Sequence, residues 1–418
     1  MMNSGADHSN RRTFLQAGAA TTAGAIGIGS QSAAHAQAQA QPGAGRSPVI
    51  PTRKLGKTGV EVTMLDQGAV LRMSNDRLLR MSFAAGVRMF DTAEVYKTEV
   101  DFKKWFEREP EVRKQIFLVT KDMPRAPRDL IGMLDRRLET LGTDHVDLFF
   151  IHGLGDMHSL DEALNFVTSR EFKEIGDAIR KSGKARFVGF STHHKDRAAM
   201  IEAAAKAGTV DAIMMQYAPW LDRDAPLNKA LDVAWKKGIG LISMKQIAGK
   251  FYGDKPKGDI LKDVVARVPS LAEKKLSPFQ GLLHAIWTDE RITSVCTSMR
   301  NTDQIRENTD AARRFEPLKL SEIHELRDAV LASGPTLCAD CDGRCSLAAG
   351  TQAELGNLTR FLTYHEHLGD RTEARQRYAE LPAEARDWAG ADLEAARQAC
   401  PSRLNFASLL PRVERHLA

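Results

Sequence analysis

Aromatic residues are scarce in this chain: five Trp, five Tyr and 17 Phe among 418 residues, or 6%. No segment interleaves them with basic side chains, and the formal charge of +5 is a small difference between 59 basic and 54 acidic residues. So mild and dispersed an excess excludes the basic, aromatic-studded surface by which nucleic acid is gripped. Long apolar runs are missing too. The weakly apolar stretch from Ala17 to Gly29 is built of small residues and is too short for a stable membrane anchor. Cysteine is equally scarce, at five residues, and three of these fall between Cys338 and Cys345. What remains, 43% hydrophobic and 27% charged residues, is the composition of an ordinary soluble enzyme.

The first residues read as an address rather than as fold. Ser9-Asn10-Arg11-Arg12-Thr13-Phe14-Leu15 has the form of a twin-arginine signal, and Ala34-His35-Ala36 offers a small-x-small cleavage site. Residues 1–36 are therefore expected to be a signal peptide and residues 37–48, rich in Ala, Gln, Gly and Pro, a linker. That route exports proteins already folded and loaded with cofactors, so the expected destination is the periplasm.

Beyond the linker, short apolar runs alternate with longer amphipathic ones. Leu65–Val70, Val87–Phe90, Ile116–Thr120, Val146–Ile151, Ala185–Phe190, Ala212–Gln216, Ile239–Met244 and Ile292–Thr297 read as strands. Each is followed by a polar-faced helical stretch; in Asp129–Leu141, Leu130, Leu134, Leu138 and Leu141 recur every three or four residues and Gly142 stops the helix. Eight such units predict an α/β fold, a closed (β/α)8 barrel, with a hairpin from Arg53 to Val62 capping its lower end. Four polar residues stand at or just past the ends of the early runs: Asp91 and Tyr96, then Lys121, then His152. Side chains at strand C-termini are where such a barrel does its chemistry. A phenol, an ammonium, a carboxylate and an imidazole together make a proton donor: the ammonium lowers the phenol's pKa, the carboxylate holds the ammonium, and the imidazole orients a carbonyl.

Asp91-Thr92-Ala93-x-x-Tyr96, Val119-Thr120-Lys121 and Phe150-Ile151-His152 resemble the catalytic tetrad of the aldo/keto reductases. The resemblance implies a barrel over residues 49–316, a nicotinamide nucleotide, a small-molecule carbonyl substrate, and Tyr96 as proton donor with a pKa depressed by Lys121. It also implies a cofactor site on the later strands. Ser191-Thr192 stands where the family has a Ser-Asn pair on the carboxamide, and Gln216 matches a second carboxamide contact. Lys245 opens the pyrophosphate loop; Ser298, Arg300, Gln304 and Asn308 lie in the segment that wraps the adenosine phosphate. Arg300 on a 2′-phosphate favours NADP over NAD. Tyr217, His193 and His194 are either pocket edge or packing and loop surface. Trp105, Trp220, Tyr252 and the segment Ala248–Lys275 are candidates for the substrate pocket.

Residues 317–418 form a second module, expected to be helical over Ala353–His367, Arg371–Leu381 and Trp388–Ala399. Cys338, Cys341 and Cys345, with distant Cys400-Pro401, offer four thiolates in a ferredoxin-like arrangement, and some aldo/keto reductases with twin-arginine signals resemble this. A 4Fe-4S cluster, a structural zinc and two disulfides all remain open, since the C-x2-C-x3-C spacing departs from the ferredoxin pattern. Cys296 reads as a buried apolar residue, and His365 and His367 as surface histidines. Three functions follow: a carbonyl reductase, an iron–sulfur electron relay serving a redox partner, or a nucleotide-binding protein without turnover.

Overall fold

The computed structural model describes residues 50–418 apart from 70–74, 195, 220, 222, 246–267, 333–337, 339–342, 369–370 and 401–402. The signal peptide, the linker, Trp220, Tyr252 and Cys341, together with most of the segment Ala248–Lys275, lie outside the described residues.

Two short strands, β1 (Thr52–Lys54) and β2 (Glu61–Thr63), pair antiparallel as the expected hairpin. Then come β3 (Leu65–Gly68), β4 (Met89–Asp91), β5 (Phe117–Asp122), β6 (Val146–Ile151), β7 (Ala185–Thr192), β8 (Ala212–Gln216), β9 (Gly240–Met244) and β10 (Ile292–Thr297). These eight are parallel neighbours in chain order, and β10 closes on β3. The helix Asp129–Leu141 buries its four leucines against the strands and ends at Gly142 with φ 65°.

Two apolar layers follow from strand alternation. Residues such as Phe90, Leu118, Phe149 and Ile213 face outward into the main core beneath the helices. Met89, Val119, Leu148, Phe150, Ala212, Met214 and Ile242 fill the barrel's inside, joined by Leu55 and Val62 from the hairpin. Space there is tight: a Cβ at Gly189 would meet the Phe150 ring at 2.7 Å and Ala212 O at 1.9 Å, so only glycine lets β7 pass this layer.

Trp105 is completely buried among Phe83, Phe90, Phe102 and Phe106, so it belongs to the core and lines no substrate pocket. The main core runs on past residue 316 through Leu318, Ile323 and Leu326, which tie the helix Leu320–Ala332 to the barrel. Beyond it a separate core gathers Leu355, Leu358, Leu362, Phe406, Leu410 and Val413. Its helices are Leu355–Thr363, continued by a π-helical turn to Leu368, then Arg371–Glu380, Leu393–Ala399 and Phe406–Leu417. Composition hid the last of these, which carries Pro411 inside it.

Candidate active site

Alternation that fills the barrel also builds the site. Asp91 lies two residues beyond Met89, Lys121 two beyond Val119, His152 two beyond Phe150 and Gln216 two beyond Met214. Each therefore continues an inward-facing row where apolar packing gives way at the strand C-termini. Tyr96 arrives differently, on the single 3-10 turn Glu94–Tyr96, fixed by the left-handed Lys97 whose N–H returns to Glu94 O.

Lys121 is buried, and its ammonium donates to Asp91 Oδ1 and, at 3.0 Å, to Thr92 O. Burial works against its charge, yet Asp91 and Tyr96 outweigh this and raise its pKa, so Lys121 stays protonated. The Tyr96 hydroxyl lies 3.3 Å from His152 Nε2, the two rings meet edge to face at 5.3 Å, and Lys121 Nζ sits 5.5 Å from the phenol centroid. Burial, with Lys121 and Lys245 adding positive charge, pushes the His152 pKa well down, so the imidazole is neutral at physiological pH. It can then accept from a phenol or donate to a carbonyl. The Tyr96 expectation needs correcting: burial raises its pKa, and the lowering by Lys121 is the smaller effect. A phenol partly withdrawn from water resists ionisation more than one ammonium promotes it.

Among the cofactor residues, Gln216 stands out. It is 1% exposed, and neither its amide oxygen nor its nitrogen has a hydrogen-bond partner among the described residues. A buried amide left unpaired costs stability, and the carboxamide of a nicotinamide is its complement. Ser191 faces inward but is already engaged, accepting from Gly153 N at 3.1 Å and touching Ile151 O at 3.5 Å. Thr192 does not join it. β7 runs straight through both residues, so Thr192 points to the opposite face, donating to Leu154 O and accepting from His194 N. The expected Ser191-Thr192 pair is split by strand alternation.

Arg300 and Ser298, both partly buried, follow β10. Gln304 is turned back to accept from Arg300 N at 2.7 Å, and Asn301 caps the helix Thr302–Arg313 by accepting from Asp303 N and Gln304 N. The N–H groups of Asp303 and Gln304 at this helix start are thus satisfied within the chain. Asn308 lies on the same helix, partly buried. Lys245, in a left-handed conformation just past β9, adds positive charge at His152, His193 and Asp156.

Sequence reasoning passed over Asp156 and left His193 open between pocket edge and loop surface. Asp156 is held to about 2, where His193 and Lys245 overcome the opposing effect of burial; His193, 3.2 Å away, is pushed down to about 4 by its own burial. At neutral pH that contact is a neutral imidazole against a carboxylate. Two arginines of the C-terminal module also reach the site's field: Arg360 adds charge at His193 and Arg377 at Tyr96. Nothing in the sequence connects residues so far apart. Asp66 shares the inward row with Gly68, which is in register with Asp91, a relation that only strand pairing reveals.

In the C-terminal module Cys345 and Cys400 are buried in the second core, and Cys338 packs against it. Cys345 and Cys400 form no disulfide with each other. Burial, reinforced by Cys338 and Cys400, pushes the Cys345 thiol up to about 12. Gly356 lacks the Cβ that would stand 3.3 Å from Cys338 Sγ. Among the described residues, no helix is long and apolar enough to cross a membrane.

Known proteins resemble this chain in sequence and in fold. Residues 63–330 match the description "Aldo/keto reductase family". L-Glyceraldehyde 3-phosphate reductase of Escherichia coli is 23% identical over 328 residues, 65% of this chain and 91% of its own. The NADP(+) aldo-keto reductase yakc of Schizosaccharomyces pombe is 26% identical over 243 residues, 50% of this chain and 67% of its own. In shape, the holo form of an aldo-keto reductase from Bacillus halodurans superposes with a TM-score of 0.53 at 19% identity, over 67% of this chain and 96% of that one. With its parallel barrel and matching stretch of more than half its length, the chain belongs to the aldo/keto reductase family of oxidoreductases.

Proposed function

We propose that the protein reduces the carbonyl group of a small molecule with a nicotinamide nucleotide, NADP in preference to NAD. The observation that carries this reading is the contact of Tyr96 with neutral His152 beside the buried Lys121–Asp91 pair. When bound, the nucleotide supplies a hydride for the carbonyl carbon. Tyr96 gives its proton to the carbonyl oxygen, and the product is an alcohol. Lys121 stabilises the phenolate left behind, Asp91 holds Lys121 in place, and His152 orients the carbonyl through Nε2. Gln216 and Ser191 would hold the carboxamide, Arg300 the 2′-phosphate, with Gln304 and Asn308 toward the adenine and Lys245 and Ser298 toward the phosphates.

Gln216→Leu provides a check on the nucleotide. Removing the unpaired amide is expected to stabilise the nucleotide-free protein by about 1 kcal/mol. It is expected to weaken nucleotide binding about tenfold, or ~1.4 kcal/mol. Binding measured by fluorescence titration that did not change would remove Gln216 from the site.

Cys338, Cys341, Cys345 and Cys400 would hold a 4Fe-4S cluster, which supplies one-electron chemistry when bound. Support comes from the gathering of Cys338, Cys345 and Cys400 at one apolar core, with Gly356 making room at Cys338. Full-length protein purified without oxygen is expected to contain about four iron and four acid-labile sulfide per chain. Iron-free protein with one zinc per chain would replace the cluster by a structural metal. The Arg11-Arg12 pair and the Ala34-His35-Ala36 site support export in folded form to the periplasm, so replacing both arginines by lysine is expected to leave the protein in the cytoplasm.

A further inference from the structure

Two carboxyl groups meet inside the barrel beside the thiol of Cys296. Asp66, on β3, is completely buried; neither of its oxygens meets a nitrogen or hydroxyl donor among the described residues, and the Cys296 thiol beside it is a weak donor. Oδ2 of Asp91 has no hydrogen-bond partner among the described residues, while Oδ1 takes the Lys121 ammonium. Carboxylate oxygens of Asp66 and Asp91 and Sγ of Cys296 all lie within 4.8 Å of one another. Backbone register explains the meeting: Asp66 pairs with Cys296 on β10 and with Met89 on β4, two residues before Asp91. The charged and titratable groups around Asp66 are Asp91 from β4, Lys121 from β5 and Cys296 from β10.

An ionised carboxylate only accepts hydrogen bonds, so two of them side by side would leave these oxygens with no donor for one another and only the weak thiol of Cys296 at Asp66. They would also repel across a medium that screens poorly. A single proton resolves both problems, because a protonated carboxyl can donate to the oxygen that Lys121 leaves bare. Burial, then the Asp91 charge, act in that direction and hold the Asp66 pKa well above the usual carboxylate range; Lys121 opposes them without prevailing. A metal ion fits less well, since it would stand against the ammonium already bound to Asp91.

We propose that Asp66 is a protonated carboxylic acid donating to Oδ2 of Asp91, and that this acid–carboxylate pair positions Lys121 for Tyr96. A carboxylate that shares its charge with a neighbouring proton holds an ammonium less tightly. Lys121 is then freer to stabilise the phenolate, which offsets some of the burial that opposes Tyr96 ionisation. Asp66 touches no substrate in this scheme; it acts through Asp91. The effect on Tyr96 rests on the reductase reading, whereas the acid–carboxylate pair does not.

Infrared spectroscopy at neutral pH tests the pair directly. The wild-type protein is expected to show the carbonyl stretch of a buried protonated carboxyl, shifted in heavy water and lost in Asp66→Asn. Stability supplies a second readout. A carboxyl with a raised folded pKa binds its proton more tightly folded than unfolded, so its contribution falls as pH rises above the unfolded value of 3.8. Asp66→Asn removes that dependence, and its melting temperature is expected to gain on wild type steadily from about pH 4 upward. For the positioning role, the phenolate absorbance that Tyr96→Phe removes should titrate at higher pH in Asp66→Leu, which has no donor for Asp91. Asp66→Asn, whose amide can donate, should restore it toward wild type. No protonated-carboxyl band, melting curves that stay parallel with pH, or a metal ion lost on Asp66→Asn would overturn the proposal. None of these readings needs turnover, so failure to reduce any carbonyl would sink the reductase reading and leave the acid–carboxylate pair standing.

Discussion

Tyr96→Phe is expected to slow carbonyl reduction roughly 100- to 10,000-fold while leaving nucleotide affinity and melting temperature near their wild-type values. The ring keeps its edge-to-face packing on His152, and only the hydroxyl, with its 3.3 Å contact to Nε2, is lost. The pH profile should carry the same signature. Reduction needs the protonated phenol, and burial raises the Tyr96 pKa above its ordinary value of 10.0. The wild-type rate should therefore hold through neutral pH and fall only as pH rises into the strongly alkaline range. Alcohol oxidation, which needs the phenolate, should rise over that range instead. Steady-state rates across pH, paired with nucleotide titrations, would measure both. Undiminished reduction by the phenylalanine variant would remove Tyr96 as the proton donor.

Lys121→Met should be the most damaging change to stability in the site, costing about 3–5 kcal/mol. Methionine fills much of the same space, so the loss comes from charge rather than from a cavity. Asp91 is 2% exposed, and without the ammonium it must fold as an unpaired buried carboxylate or take up a proton. Protonation is the cheaper course, and it sets the sign of the pH dependence. Burial already raises the Asp91 pKa and Lys121 lowers it; without the ammonium it rises further, so the deficit should be small near pH 4 and grow as pH rises. Urea unfolding at several pH values would show this, and adding Asp91→Asn should recover much of the lost stability. A deficit that does not change with pH would mean that the pair matters through packing alone.

Much of the barrel was open to sequence reading because its strands are short apolar runs bounded by punctuation. Val146–Ile151, Ala212–Gln216 and Ile292–Thr297 fall where their patterns put them. The tetrad was legible for a related reason: strand ends are where polar residues break an apolar row, and Asp91, Lys121 and His152 each do so. What stayed hidden needed information across strands. Thr192 looks like a partner of Ser191 until β7 is seen to continue through both and turn them apart. Asp66 sits in a run that reads as an ordinary strand, and its meaning depends on Asp91 and Cys296, contributed by the strands on either side. The field from Arg360 and Arg377 depends on how a helical module returns over the mouth, for which local sequence carries no signal. Trp105 misled because large aromatics suit a pocket and a core equally well, and only packing decides between them.

The closing of β10 on β3 has a consequence for the order in which the molecule can be made. Asp66 and Cys296 are register partners, yet one is synthesised near the start of the barrel and the other at its last strand. Arg53 repeats the pattern, its guanidinium donating to Trp287 O, Asp289 O and Ile292 O. A chain still on the ribosome can pair its early strands in sequence, but the ring stays open until the last strand has emerged. Contacts so distant along the chain form late and slowly. The acid inside the barrel thus remains wet and ionised through most of synthesis and takes up its proton only at ring closure. Acidification should therefore speed the final step of refolding relative to the earlier ones.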